Sequence, residues 1–434
     1  MLLSELARDR GIRYFLIAFT DLFGVQRAKL IPAQSIDLMA ENGVGFVGFS
    51  AWLDMPPAAP DILAIPDTNC LFQLPWKKEI AWMPADLYGV DGEPIFQTPR
   101  LILKRVLKTA QEKGYLVMTG VECEYFLLKQ DTPEILDNCD RLRKPSYEQQ
   151  GLMRLYDVVS EICDGMLFLG WKPEQNTQKD AIGKLAMNWA NGDALITADR
   201  QTFFKYMVKS IAENYGFRAT FMPKPFANLT GNACNVNLSL WDYVSKTNLF
   251  KEADEDRELS LLADKFIGGI LASAPALSAF SNPTVNSYKQ ISSPLISTGE
   301  TWASNIISYS GNNFNSLIRI PDCDRFELRL ADSAANPYLL SAAIIAAGLD
   351  GIEGQITPGD RTENSDYIPT LPYNIGKQLP TNLLDALRNL SSSQVLKTAL
   401  GESFVASYLK LKYQQWHEYS LSITPWELDN TLDC

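Results

Sequence analysis

The chain has 434 residues, 46% hydrophobic and 21% charged, with a formal net charge of −12 at pH 7. That length exceeds one ordinary hydrophobic core and predicts two domains, while the acidic balance excludes nucleic acid as a main partner. No apolar run reads as long enough to cross a bilayer, so no membrane partner is expected.

The first residues, Met-Leu-Leu-Ser-Glu-Leu-Ala-Arg-Asp, lack the pattern of a signal peptide. The seven cysteines (Cys70, Cys123, Cys139, Cys163, Cys234, Cys323 and Cys434) are scattered, odd in number and form no CxxC pair. They fit a reducing cytoplasm and argue against disulfides or a thiolate zinc site. The single histidine, His417, excludes a histidine-ligated metal centre and reads as a surface or packing residue on a C-terminal helix over 404–419.

Residues 1–97 read as a small α+β domain. A short helix precedes a buried strand over 13–20, a turn at Asp21-Leu-Phe-Gly24 and a return strand over 25–31. A helix over 35–42 follows, then a Pro-rich loop over 55–60, read as chain routing, and strands near 70–74 and 79–83. The stretch 91–99 reads as the boundary, with Pro99 opening a helix over 100–113. Residues 98–434 mix strands of antiparallel type with helices predicted over 146–163, 200–215, 260–273, 336–348 and 382–399. The fold class is α+β. GxxxxGK[ST] does not occur, which disfavours the P-loop class.

Gly120-Val-Glu-Cys-Glu-Tyr-Phe126 carries the strongest local chemistry. In a strand, Glu122 and Glu124 share one face, and two neighbouring carboxylates repel unless a cation or donors compensate. Two readings stay open: a hard-metal or metal-phosphate site, or an amphipathic strand with a polar outer face. A second stretch, Arg325-Phe-Glu-Leu-Arg-Leu330, places Arg325, Glu327 and Arg329 on one face, as a phosphate and metal site needs.

With these two stretches stand Ala219-Thr-Phe-Met-Pro-Lys-Pro-Phe226, Asn286-Ser-Tyr-Lys289 and Ile318-Arg-Ile-Pro321. All five, in this order and spacing, resemble the glutamine synthetase superfamily, in the branch of type III-like enzymes and γ-glutamylmethylamide synthetases. The likeness runs from about residue 10 to the C-terminus. It implies an N-terminal β-grasp-like domain (1–97), a catalytic-type domain of antiparallel sheet and helices (98–434), and ring-shaped oligomers with sites between subunits. It also implies a two-step reaction. ATP phosphorylates the γ-carboxylate of glutamate, and ammonia or an amine then displaces phosphate, with two divalent ions screening the charge.

Carried over residue by residue, the resemblance makes Glu122, Glu124 and Glu327 metal ligands. It assigns Ser239, Trp241, Arg319 and Arg325 to the nucleotide and phosphate, and Gly231 and Arg329 to the substrate. Other positions depart from the family pattern. Lys179 and Ala186 stand where it has glutamates, Asn235 and Asn237 where it has His-x-His, and Gln290 and Phe314 where it has arginines. A loosely matched ammonium-binding aspartate falls near Val47. The departures imply a chain impaired or inactive in the usual reaction, acting as a scaffold or regulatory subunit of a ring, alone or mixed with an active subunit. The alternative is an ATP-dependent glutamate–ammonia or amine ligase with a rewired site. In it Lys179 or Lys184 approaches Glu124 and supplies the charge a metal brings; both lysines also read as solvated loop charges. ATP with Mg²⁺ or Mn²⁺ is expected if the reaction persists, and no cofactor otherwise.

Overall fold

The computed structural model describes residues 2–136, 145–251, 259–291, 305–362 and 377–434, so the reading of Cys139 lies outside the described residues. In the N-terminal part, helix α1 (Leu3–Arg10) leads into strands β1 (Tyr14–Thr20) and β2 (Gln26–Pro32). Helix α2 (Ile36–Asn42) and strands β3 (Val44–Phe46), β4 (Ile62–Pro66), β5 (Phe72–Gln73) and β6 (Ile80–Gly89) follow. Among the described residues these strands form one sheet in the order β2-β1-β6-β4-β3, with β5 also on β6; β1 and β6 run parallel. The expected hairpin at residues 21–24 is present. The Asp21 carboxylate accepts the N–H groups of Phe23 and Val25, each at 3.0 Å, and so closes the turn. Strands β3 and β4, on either side of the Pro-rich loop over 55–60, were not expected from the sequence.

Helix α3 (Pro99–Glu112) begins at the expected proline and feeds β7 (Tyr115–Lys129), the central strand of the larger sheet. Then come α4 (Gln149–Arg154), α5 (Tyr156–Phe168), β8 (Pro173–Gln178), β9 (Lys184–Trp189), β10 (Gly192–Asp193) and α6 (Ala194–Asn214). They are followed by β11 (Phe217–Thr220), β12 (Cys234–Asp242), α7 (Leu261–Ser281), α8 (Tyr288–Ile291), β13 (Tyr309–Ser310), β14 (Ile318–Asp322) and β15 (Arg325–Leu328). The chain closes with α9 (Pro337–Glu353), α10 (Leu383–Ser392), α11 (Gln394–Leu400), α12 (Glu402–Ser420) and α13 (Pro425–Thr431). The larger sheet runs β13-β14-β15-β12-β7-β9-β8, with β10 and β11 also on β7. The architecture is the expected α+β type.

Several helix boundaries differ from the sequence reading for local reasons. The helix expected over 146–163 is two helices interrupted at Leu155, whose ψ of 9° leaves the helical range. The one expected over 382–399 breaks at Ser393, whose hydroxyl instead caps α11 by accepting from Leu396 N–H. Helix α6 starts ahead of Arg200 because the Asp193 carboxylate caps Leu195 and Ile196 N–H. Helix α7 continues through Pro275 to Ser281 and, among the described residues, is long and apolar enough to cross a membrane. That corrects the reading of apolar runs. Two thirds of its apolar window is buried (67%), and it crosses α9 so closely that a methyl at Gly269 would strike the backbone of Gly351.

The two sheets are joined by a buried ionic cluster. Arg100, on α3, reaches Asp67 (2.8 Å) and Asp86 (2.9 Å) beside the first sheet and Asp199 (2.9 Å) on α6. Tyr338 O–H donates to the same Asp199 at 2.7 Å. Burial disfavours the Arg100 charge, but Asp199 and Asp86 more than offset this and hold its pKa above the usual value.

Candidate active site

The site is assembled by cross-strand register. Asn235 on β12 sits opposite Glu122 on β7, Asn237 opposite both Gly120 and Glu327, and Arg319 on β14 opposite Glu327 on β15. Ala186 on β9 lies opposite Glu124. Carboxylates separated along the sequence by about two hundred positions therefore lie on strands β7 and β15, on either side of β12.

The β8–β9 hairpin supplies the cations for the first pair. Its turn is tight: Lys179 N–H donates to Lys184 O (3.1 Å), Asp180 has φ +56° and Gly183 φ +69°. Ser146 steadies it by exchanging bonds with the backbone N–H and the carboxylate of Asp180, at 3.0 and 2.9 Å. The turn directs both lysines inward. Lys179 Nζ donates to Glu122 Oε1 at 2.6 Å and lies 3.5 Å from Glu124 Oε1. Lys184 Nζ donates to Glu124 Oε2 and to the Gly231 carbonyl, each at 3.1 Å, and lies 3.5 Å from Asp180. Asn235 Nδ2 donates to Glu122 Oε2 at 3.0 Å, and Ala233 N–H to Glu124 Oε2 at 2.8 Å. Burial pushes the Glu124 carboxyl up, but Lys184, Lys179 and the Ala233 N–H outweigh it and hold its pKa below the usual value. For Lys179, burial works against the charge, and Glu124 and Glu122 reverse that and raise its pKa. With side chains 19% and 2% exposed, Lys179 and Lys184 are not solvated loop charges, which corrects that expectation.

Glu327 occupies the second cluster. Arg319 Nη1 donates to its Oε2 at 2.9 Å, and Arg329 Nη1 to its Oε1 at 3.3 Å. Phe314 lies between these arginines, with guanidinium carbons 4.0 and 5.2 Å from its ring centre. Its carbonyl also accepts from Arg329 Nε at 3.1 Å. Asn312 accepts from Arg319 Nε at 2.7 Å and was not singled out from the sequence, although it lies two residues before Phe314. Arg325 turns aside to Asn237 Oδ1 (3.0 Å) and Asp322 (3.1 Å).

Trp241 Nε1 donates to Ser239 Oγ at 2.9 Å on β12, in line with the two asparagines. Gly231 has no room for a side chain, because a methyl there would strike the Pro223 carbonyl and the Gln290 amide. Gln290 Oε1 and Asn235 Oδ1 are buried without a hydrogen-bond partner among the described residues. Ser333, missed from the sequence, donates to the Glu124 and Ala233 carbonyls at 2.8 and 2.9 Å and so ties β7 to the loop before β12. Val47 is exposed on the N-terminal part, and His417 is exposed on α12, as expected.

A magnesium ion seeks about six oxygen ligands in a near-octahedral shell. Among the described residues, no group of three or more His, Cys, Asp or Glu side chains is gathered to hold a metal. All four oxygens of Glu122 and Glu124 face protein donors, and both oxygens of Glu327 face guanidinium groups. The residues as arranged do not fit a divalent ion between Glu122 and Glu124.

Comparison with known proteins gives an independent line. A family model described as "Glutamine synthetase, catalytic domain" matches residues 96–431. A glutamine synthetase of Rhizobium leguminosarum bv. phaseoli is 50% identical over 431 residues, 99% of each chain. A glutamate–methylamine ligase of Methyloversatilis universalis is 35% identical over 439 residues, 99% of this chain and 98% of that one. A solved GmaS/ADP complex superposes with a TM-score of 0.95 at 51% identity, covering 100% of this chain and 99% of the other. A solved apo GmaS without ligand gives a TM-score of 0.94. The relatives carry the names of enzymes, which lends no support to the expectation of a non-catalytic chain and favours its ligase alternative.

Proposed function

The chain belongs to the glutamine synthetase family, and from that premise we propose that it is an ATP-dependent carbon–nitrogen ligase with a rewired cation site, joining the γ-carboxylate of glutamate to ammonia or a small amine. The observation that carries this reading is the Arg319–Glu327–Arg329 cluster, which keeps the family's charged pattern on β14 and β15. Phosphoryl transfer to a carboxylate brings two anions together, so catalysis rests on positive charge held in place and on alignment. In this reading Arg319 and Arg325 meet the transferring phosphate, and Arg329 and Gly231 hold glutamate. Ser239 and Trp241 border the nucleotide, for which the ADP complex of the solved relative gives support. Once phosphate is on the γ-carboxylate, the amine nitrogen attacks the acyl carbon and phosphate departs. Lys179 and Lys184 hold fixed positive charge beside Glu122 and Glu124 throughout. We place the domain boundary at 97/98, the assembly as a ring of copies of this chain, and the setting as the cytoplasm, for which the free thiols of the described cysteines give support.

A second reading, a non-catalytic ring subunit, is favoured by one specific observation. The carboxylates that match metal ligands are already paired to lysines, with Ala186 and Asn235 beside them. ADP release from ATP in a Mg²⁺ buffer with glutamate, and with ammonium or methylamine in turn, separates the two. The ligase reading expects amine-dependent release by the native chain and none by Glu327→Ala. Equal background from both proteins would leave the subunit reading standing.

A further inference from the structure

We propose that the Lys179 ammonium is a tethered substitute for a divalent cation, so that the seat between Glu122 and Glu124 carries its positive charge permanently and rejects free Mg²⁺ or Mn²⁺. The inference concerns which cation occupies the seat and does not rest on turnover.

Three features carry it. First, Lys179 Nζ bridges the two carboxylates, at 2.6 Å from Glu122 Oε1 and 3.5 Å from Glu124 Oε1. A bridging position between two acidic groups is where a hard ion with oxygen ligands would sit. Second, the outer oxygens are also taken. Asn235 Nδ2 holds Glu122 Oε2, while Lys184 Nζ and the Ala233 N–H hold Glu124 Oε2. An entering ion would have to displace an ammonium and would still face a second one. Third, the backbone that presents the lysine is held in place. Its backbone N–H is bound to Lys184 O across a turn whose geometry is set by Asp180 at φ +56° and by Gly183, and Asp180 is tied to Ser146. The Lys179 side chain is also only 19% exposed, which separates it from an exposed surface ion pair.

The same geometry says how to undo the device. Lys179→Glu would place a third carboxylate beside Glu122 and Glu124, whereas Lys179→Met removes the ammonium without adding a ligand. Mn²⁺ titration of the purified full chain without nucleotide, read by the electron paramagnetic resonance of free Mn²⁺, gives affinity and stoichiometry independently of activity. The native chain should show no Mn²⁺ site that Glu122→Gln weakens. Lys179→Glu should gain one Mn²⁺ per chain, on the order of 100-fold tighter than any binding in the native protein. The gained site should disappear in Lys179→Glu/Glu122→Gln, and Lys179→Met should show a smaller gain. Native binding that Glu122→Gln abolishes would overturn the proposal, as would a folded Lys179→Glu with no gain. If Lys179→Glu does not fold, Lys179→Met decides: tighter Mn²⁺ binding supports the substitution of ammonium for metal, and unchanged binding refutes it. Because none of these readings involves ADP release, they stand or fall apart from the ligase assignment.

Discussion

The two carboxylate clusters of the site are neutralised by different means. At Glu122 and Glu124 the cations are ammonium groups from one hairpin turn; at Glu327 they are guanidinium groups braced by Asn312 and a phenyl ring. An ammonium is a compact point charge, so its hold depends on the backbone that presents it. A guanidinium is planar, binds through a fork and stacks on an aromatic face, so it retains its place with less help. The charges of the first cluster thus come from one turn, and those of the second, with Asn312, from β14, the end of β15 and the loop before β14.

The contrast is broken most severely at Lys184. Its side chain and that of Glu124 are 2% and 3% exposed. Lys184→Met leaves a buried carboxylate with the Ala233 N–H and only the longer Lys179 contact for a cation, and should cost about 3–5 kcal/mol of unfolding free energy in urea titration. A loss below about 1 kcal/mol would mean that water reaches Glu124 and that the cluster behaves as a surface pair.

At the second cluster, Arg319→Lys removes the fork to Glu327 and Asn312 and the stacking on Phe314, while Arg329 remains. The expected cost is smaller, roughly 1.5–3 kcal/mol, the value of a charged hydrogen bond. Near-native stability of this variant would show that the guanidinium is not specifically required there.

Acid should separate the clusters further. The folded-state pKa of Glu124 lies below its ordinary value of 4.5, so the folded state binds fewer protons there than the unfolded one. The stability this contributes is fully present above pH 4.5 and is lost as pH falls through the lower folded-state value. Urea midpoints measured from pH 6 downwards should therefore decline on the acid side. The decline should be shallower in Lys184→Met, where a main cause of the depression is gone; an equal decline would assign the acid sensitivity to other carboxylates.

The smallest effect is expected at Phe314. Phe314→Leu keeps apolar volume but loses the ring faces, worth about 0.5–1 kcal/mol at a part-exposed position. A larger loss would indicate that the ring also sets the spacing of Arg319 and Arg329.

Much of this was legible in the chain. The alternation in residues 120–126 placed Glu122 and Glu124 on one face, and Pro99 marked the start of a helix that the structure retains. The split helices were not read because a leucine with bridge-region backbone and a serine turned into a cap leave the apolar periodicity unbroken. The inward aim of Lys179 was open for a different reason. Whether a loop lysine is solvated or buried depends on a turn with positive φ at a non-glycine residue, Asp180, and on an anchor more than thirty positions away at Ser146. Such long-range support has no local signature. The cross-strand partnership of Asn235 with Glu122 likewise depends on register and not on spacing.

The Arg100 cluster has a consequence for how the chain can be divided. One guanidinium, presented by a helix just past the proposed boundary, binds two aspartates on one side and one on the other. A fragment cut at residue 97 would keep Asp67 and Asp86 without their common cation, and the complementary fragment would keep a buried arginine with one counterion where it had three. Neither piece inherits a balanced interior, so the two halves are expected to melt in a single transition and to resist separate expression.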